Sequence, residues 1–497
     1  MDNIEILKKT NLGDSVAEQE QNELENYFIK TEAWEMLNEG RIDVVYGGKG
    51  TGKSALYLLL LRNAQDLQNS RLIHLIPGEE ISGDPVFRSL NEEERLTESQ
   101  FRDLWKIYFL SLIGNHIRNK VDEKLKLQLK PVLTRLENEG LIPIEGIRKI
   151  FRAAFERIIK AKHTINAPGG GGYTIILGEP SSEEEKEGKT SVRNILHEID
   201  KILSEAGIGI WILLDRLDVA FTESEIETPA LRALFRAYLD ILALQNIKLK
   251  IFLRDDIWER ITREQGFREQ SHITRFYHIR WTQDSLRHLI LSRFYNNPVI
   301  EEYTKLRRET LGNLKIQEAA FYSIFPEQVE SGPKKRKTFD WILNRVQDGK
   351  QNSAPREVIN LIKFAREQQV ILEEVGGLGS NPEGHLISAN GLNLALEEVS
   401  KIKIETFWSE YPDLRKYIEV FRGGRTEYLV ENIKDLFTTQ KLNDVTNTIR
   451  RLIEIGFLQE KRGIQTSYWV PFIFRPYLSL TQGAAFIKGS GDKDEEE

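Results

Sequence analysis

The sequence predicts an α/β protein: a three-layer core around a parallel sheet, then a helical lid and a smaller C-terminal domain. Three observations carry this expectation. Short apolar runs alternate with helix-length stretches between residues 41 and 281. A glycine-rich octet, Gly47-Gly48-Lys49-Gly50-Thr51-Gly52-Lys53-Ser54, stands between the first such run and the first such helix. Residues 410–480 end in a capped helix followed by two strand-like runs.

Composition bounds the problem. The 497 residues carry a net charge of −7, are 40% hydrophobic and 29% charged, and so can bury a sizeable core. Cysteine is absent, which excludes disulfides, thiolate metal sites and thiol catalysis. No apolar run reaches the ~20 residues of a membrane-spanning helix, and the polar N-terminus lacks a signal-peptide core. A soluble, cytoplasmic, multidomain protein without a membrane partner is expected.

Each element follows in order. Residues 1–40 read as a helical segment, with Leu24, Phe28 and Trp34 as anchors in a helix over 15–40 and Gly40 as its cap. Ile42 to Tyr46 suits a buried strand, and so does Leu72 to Ile76, which stops at Pro77-Gly78. The leucine-rich stretch Ser54 to Gln65 between them reads as a helix, making a strand–helix–strand unit. A helical insertion then covers about 98–190, broken at Gly140 and Pro143.

Within the insertion, Ile147, Ile150, Phe151, Ala154 and Ile158 form an apolar stripe. Arg148, Lys149, Arg152, Arg157 and Lys160 occupy the other face, expected to be solvated. Pro168 with Gly169 to Gly172 reads as a connector, and Ser181 to Lys189 as an exposed charged loop. A helix from Ser191 closes at Gly207, and Ile208 to Leu214 is the most apolar strand. A helix at 229–244, a strand Lys248 to Leu253 and a strand Phe276 to Trp281 complete the core. Thr282 caps the first lid helix. The lid is expected over 282–400, the C-terminal domain over 401–488 and a disordered acidic tail over 489–497.

The octet fits G-x-x-x-x-G-K-[ST], and it has a strand before it and a helix after. The glycines let backbone N–H groups curl around phosphate without Cβ clashes, and the helix N-terminus adds a favourable dipole. This predicts a nucleoside-triphosphate site, with ATP held by the backbone from Gly47 through Ala55. Lys53 would bridge the β- and γ-phosphates while the Ser54 hydroxyl ligates Mg2+. Asp215, at the end of the apolar strand Ile210 to Leu214, is expected as the second magnesium ligand. Many such ATPases place a glutamate directly after this aspartate to polarise water. Here Arg216 stands there, and Asp218 is the acid left for that work. Asn119-Lys120-Val121-Asp122 has the letters of a guanine-reading motif but sits inside a helical stretch.

With its GGKGTGKSAL loop and LLDRLD second motif, the chain resembles the AAA+ and STAND side of the P-loop ATPases over approximately residues 20–370. It is most similar there to a bacterial group carrying both motifs. The resemblance implies an ATPase acting as a nucleotide-controlled, oligomeric switch in a regulatory or genome-defence setting, with ATP between core and lid. It further implies that Arg254, in IFLRDDIW, senses the γ-phosphate. Arg275, in HITRFYHIRW, would be a finger reaching a neighbouring subunit, and Arg356, after Ser353-Ala354-Pro355, a second sensor in the lid.

The C-terminal pattern resembles a winged helix, so a DNA or protein partner is expected there. Its reading helix would start at Asn443 or Asp444, stop at Gly456, and offer Asn447, Arg450 and Arg451. Binding of ATP by a scaffold without turnover is a further alternative. The basic run Lys334 to Lys337 reads as a solvated loop. The acidity is local: Asp492 to Glu497 holds five acids against one lysine, and Ser181 to Lys189 four acids against two lysines. From Pro412 to Ser490, twelve basic residues oppose eight acidic ones.

Overall fold

The computed structural model describes residues 2–20, 23–63, 67, 72–78, 96–164, 175–217, 227–263, 267–376, 384–440, 442 and 444–485. The connector at 168–172, Asp218, Asn443 and the acidic tail lie outside these residues. The chain divides into two units. Met1–Ile29, Gly48–Gly52 and Arg280–Glu497 make the first, and Lys30–Gly47 and Lys53–Ile279 the second.

The second unit holds strands β1 (Val44–Gly47), β2 (Leu72–Pro77), the two-residue pair β3 (Ile175–Ile176) and β4 (Thr190–Ser191), then β5 (Ile208–Leu214), β6 (Ile247–Arg254) and β7 (Phe276–His278). Five of them form one sheet in the order β2-β5-β6-β1-β7, parallel throughout. The path from β1 to β2 crosses the sheet one way, whereas β2 to β5, β5 to β6 and β6 to β7 run the other way. Right-handed crossovers therefore put helices on both faces. Ile210, Ile212 and Leu214 of β5 pack with Phe109, Leu196 and Leu234 of the insertion and later helices. Phe252 of β6 lies on the opposite face, where Tyr57 of the helix Lys53–Arg62 meets it edge-on at 5.8 Å. Burial on both faces explains why all seven residues of β5 are buried and why its sequence is apolar without alternation.

Among the described residues the insertion holds five helices, Glu98–Lys120, Glu123–Gln128, Lys130–Asn138, Ile147–Thr164 and, inside the expected charged loop, the short Ser182–Lys186 started by the Ser181 cap. Asp122 caps the second, its Oδ1 accepting from Leu125 N at 2.9 Å. Asn119 to Asp122 is thus a junction between helices. One residue of the expected solvated face is corrected: Arg157 is buried, donating to Glu139 at 3.2 Å and to the Ile175 carbonyl at 2.6 Å. The helix expected over 15–40 is also broken. Phe28 is extended, and Thr31 starts a new helix, Glu32–Asn38, by accepting from Trp34 N at 3.4 Å. Gly40 closes that helix at φ +70°, a left-handed backbone that glycine adopts without strain.

His74 of β2 and His116 of the helix Glu98–Lys120 meet with Nδ1 and Nε2 3.1 Å apart, although 42 positions separate them. Burial pushes His116 down to about 4, and the neighbouring His74 and Lys120 charges act in the same direction. Its proton binds the unfolded chain more tightly, so stability is fully present above the ordinary histidine pKa and is lost as pH falls toward 4. His116→Gln is expected to shrink the loss of unfolding free energy between pH 7 and pH 5 by on the order of 2 kcal/mol. Equal losses in urea titrations of parent and variant would refute this.

In the first unit, the lid helices include Gln283–Tyr295, Thr338–Val346, Pro355–Glu374 and Ala389–Glu410. Thr282 caps the first of them, as the sequence predicts. The C-terminal part is winged-helix-like: β8 (Arg425–Leu429), helices Val430–Thr439 and Val445–Glu454, β9 (Gln459–Lys461), β10 (Ser467–Trp469) and β11 (Thr481–Ala484). Its sheet order is β11-β8-β10-β9. Two of these strands carry no clear sequence signal: β8 is a five-residue alternation between helices, and β11 is polar and exposed. The second of the two strand-like runs, Tyr468 to Phe474 in the sequence, is a strand only as far as Trp469, because Phe472–Phe474 turns into a short 3-10 helix after Pro471. Residues of the lid (Leu289, Val358, Leu392) and of the C-terminal part (Ile449, Phe474) belong to one continuous core. Gly349 N donates to the Gly456 carbonyl at 2.6 Å, and a Cβ on Gly349 would meet the Leu458 carbonyl at 2.4 Å. Only glycine permits this approach of the lid to the end of the helix Val445–Glu454.

Candidate nucleotide site

In the second unit, β1 ends at Gly47, paired with Arg254 at the end of β6. The connection leaving β1 turns toward β2, while the one leaving β6 passes β1 to reach β7. The two connections therefore run in opposite directions over opposite faces of the sheet, and the carboxyl ends of parallel strands are where α/β sheets bind ligands. Lys53 opens the ten-residue helix that follows, and its Nζ donates to the Gly47 carbonyl at 2.8 Å. The ammonium therefore already faces the loop that precedes it.

Asp215 follows β5 directly and is 6% exposed. Leu214 and Val44 both pair with Ile251, so Asp215 lies at the same end of the sheet as Gly47, with β6 intervening. Arg216 then takes φ +57°, an uncommon conformation for a non-glycine residue. Arg254 forks onto Asp256, donating Nε to Oδ1 at 2.9 Å and NH2 to Oδ2 at 2.8 Å.

Arg275 sits at the opposite, amino end of the sheet. Its Nε donates to Asp43 Oδ2 at 2.6 Å and its NH2 contacts the Gly40 carbonyl. Asp43 is fully buried and also binds Lys250 Nζ at 2.8 Å and the Tyr238 hydroxyl at 3.2 Å. Burial pushes the Lys250 ammonium down from its usual range, and the Asp43 carboxylate opposes that shift. The Arg275 guanidinium thus has a structural task in its own chain, invisible in the sequence because its partner lies 232 positions away.

In the first unit, the middle of the loop is held tightly. Gly50 adopts φ +78° and Gly52 φ +96°, while Thr51 Oγ1 donates to the Gly48 carbonyl at 2.8 Å. Arg356 N donates to the Gly50 carbonyl at 3.3 Å, and a Cβ on Gly50 would lie 2.8 Å from that of Arg356. The Arg356 Nε is buried without a hydrogen-bond partner among the described residues. A buried guanidinium N–H left unmatched beside a phosphate-binding motif suits an anion.

Several contacts to this loop have no sequence signature. Trp281 Nε1 donates to the Thr51 carbonyl at 2.9 Å, and Lys49 pairs with Glu410, at the end of the helix Ala389–Glu410. Glu357, next to Arg356, takes Lys403 Nζ at 2.6 Å. On the helix Val445–Glu454, Asn447 and Arg450 are exposed, whereas Arg451 binds Asp413 at 2.5 Å.

The sequence matches no protein-family model and no curated protein. Among solved structures, the chain is similar to the Aeropyrum pernix ORC2 protein in its ADPNP–ADP complexes, at 13% identity over 90% of this chain and 91% of that one, with a TM-score of 0.40. It is similar to a Walker-type ATPase of Pyrococcus abyssi, at 11% identity over 94% and 98%, TM-score 0.39. It is also similar to Cdc6p from Pyrobaculum aerophilum, at 11% identity over 88% and 86%, TM-score 0.30. Likenesses this distant lend the chain no activity of their own.

Proposed function

We propose that the chain is an ATP-binding, Mg2+-dependent ATPase that works as a nucleotide-controlled switch. The observation that carries this reading is the octet at a strand–helix junction, with the unmatched Arg356 Nε against its Gly50. The residues fit the group: backbone N–H donors and Lys53 suit phosphate oxygens, and the Ser54 hydroxyl with the Asp215 carboxylate suits a hard cation. Bound magnesium and ATP would supply a phosphoanhydride and a Lewis acid to neutralise its charge. Lys53 and the loop backbone would orient the phosphates, and Arg254 and Arg356 would stabilise developing negative charge. Asp218 remains the acid proposed to position water.

The switch reading rests on how the loop is held. The Gly50 carbonyl, the Thr51 carbonyl and the Lys49 ammonium are each tied to first-unit residues beyond the loop, Arg356, Trp281 and Glu410. A phosphate seated on this loop would compete with those ties, which gives it differential contact with two arrangements of the chain. The decisive experiment measures ATP binding and phosphate release together. Asp215→Ala is expected to keep ATP binding within severalfold while losing at least about a hundredfold in phosphate release. Arg356→Ala is expected to weaken ATP binding about tenfold. A parent protein that binds ATP tightly yet releases no phosphate would replace the enzyme with a nucleotide-stabilised scaffold.

A further inference from the structure

A groove of about 560 Å3 lies in the first unit, between the loop after residue 330 and the strands β9 and β10. Its lining is basic, with Lys334, Lys335, Arg336, Arg345 and Lys461 against one carboxylate, Glu330. That carboxylate is committed: Lys335 Nζ and Arg345 NH2 each donate to it at 2.6 Å, and Trp341 Nε1 at 3.2 Å. Lys334, Arg336 and Lys461 are left exposed, without an acidic partner among the described residues.

The floor is aromatic. Half-buried Trp469 has exposed Lys461 Nζ 3.7 Å and the buried Arg475 guanidinium 4.2 Å from its ring centre. Phe472 has the Arg345 and Arg475 guanidinium groups at 3.9 and 3.8 Å, so the ring position open to exchange is the one Lys461 occupies on Trp469. The amides of Asn344, Gln347 and Gln459 line the same groove. Cations alone would take any polyanion. Cations around stacking rings and amide donors match the three parts of a nucleotide: phosphate, base face and base edge.

We propose that this groove binds single-stranded nucleic acid, with phosphates on Lys334, Arg336 and Lys461 and a base stacked on Trp469. A narrow concave site accommodates an extended strand, whereas a duplex presents a convex cylinder. An acidic peptide would satisfy the cations but offers no flat face to take the place of the Lys461 ammonium on Trp469. The surface differs from that of Asn447 and Arg450, and the proposal does not depend on ATP binding.

Fluorescence anisotropy of a short labelled oligothymidylate with the full chain tests it. Binding should weaken steeply with salt. Lys334→Glu with Arg336→Glu should weaken it at least tenfold. Trp469→Ala should weaken it at least fivefold, and Trp469→Phe should restore most of that loss. Arg450→Ala should leave it unchanged. The proposal is overturned if the double charge variant binds like the parent, if Arg450→Ala is as harmful, or if unlabelled duplex or polyglutamate competes better than the single strand. Should Trp469→Ala fail to fold by circular dichroism, the exposed charge variant alone decides.

Discussion

Lys53→Ala is expected to weaken ATP binding by about tenfold to a hundredfold and to remove phosphate release. Lys53 opens the helix Lys53–Arg62 and points its Nζ back at the Gly47 carbonyl, 2.8 Å away. A γ-phosphate offers that ammonium a full negative charge in place of a carbonyl dipole, so an ion pair replaces an ion–dipole contact. In the transition state the charge on the transferring oxygens is spread further, so the loss in turnover exceeds the loss in binding. Lys53→Arg is not expected to rescue, because a planar fork cannot replace a compact point charge inside a tight loop. Calorimetric titration with ATP, and phosphate release under excess ATP, provide the two measurements. A Lys53→Ala protein that binds and hydrolyses ATP like the parent would remove the octet from the function altogether.

The features legible in the sequence are those whose cause is local. β5 reads as a strand because burial on both faces demands an unbroken apolar run. Gly207 and Thr282 read as helix boundaries because capping is settled within a few residues. The octet is the extreme case, where eight adjacent residues specify backbone shape, donor direction and charge together. Asp215 was legible for the same reason, as an acid ending an apolar strand.

What was not legible depends on partners distant in sequence. Arg157 belongs to the basic set of its helix by spacing, yet folding buries it against Glu139 and the Ile175 carbonyl. The His74–His116 contact joins a strand to a helix across the insertion. The expected helix over 15–40 had suitable composition, but Thr31 offers a competing cap that stops it midway. In the candidate site, the ties of Trp281 and Glu410 to the loop obey no motif, since an indole or a carboxylate can serve such a role from many positions. Family resemblance pointed to Arg254, Arg275 and Arg356 together. The structure sets them in three different environments: a fork with Asp256, a buried acid at the far end of the sheet, and the loop itself.

The amino end of the sheet carries the largest expected effect on stability. Asp43→Ala is expected to destabilise the second unit by about 3–5 kcal/mol, read from urea denaturation. Asp43 and Lys250 are both fully buried, and the carboxylate is also the acceptor for Arg275 and Tyr238. Removing it leaves the Lys250 ammonium with the Ile42 carbonyl and the face of Trp211, neither of which carries a balancing charge. Arg275 suffers less, since its side chain is 35% exposed and keeps its contact with the Gly40 carbonyl. The double variant Asp43→Leu with Lys250→Met is therefore expected to recover most of the loss, because it removes the stranded charge along with its partner. Recovery would mean that the cost of the single variant lies in an unpaired buried cation and not in the cavity left by the carboxylate. A single-variant loss below about 1 kcal/mol would mean that water reaches Lys250 and that the network does not hold the sheet. In either case the site at the carboxyl end should bind ATP normally wherever the protein remains folded. That separates Arg275, which holds the fold through Asp43, from Lys53, whose proposed role is on phosphate.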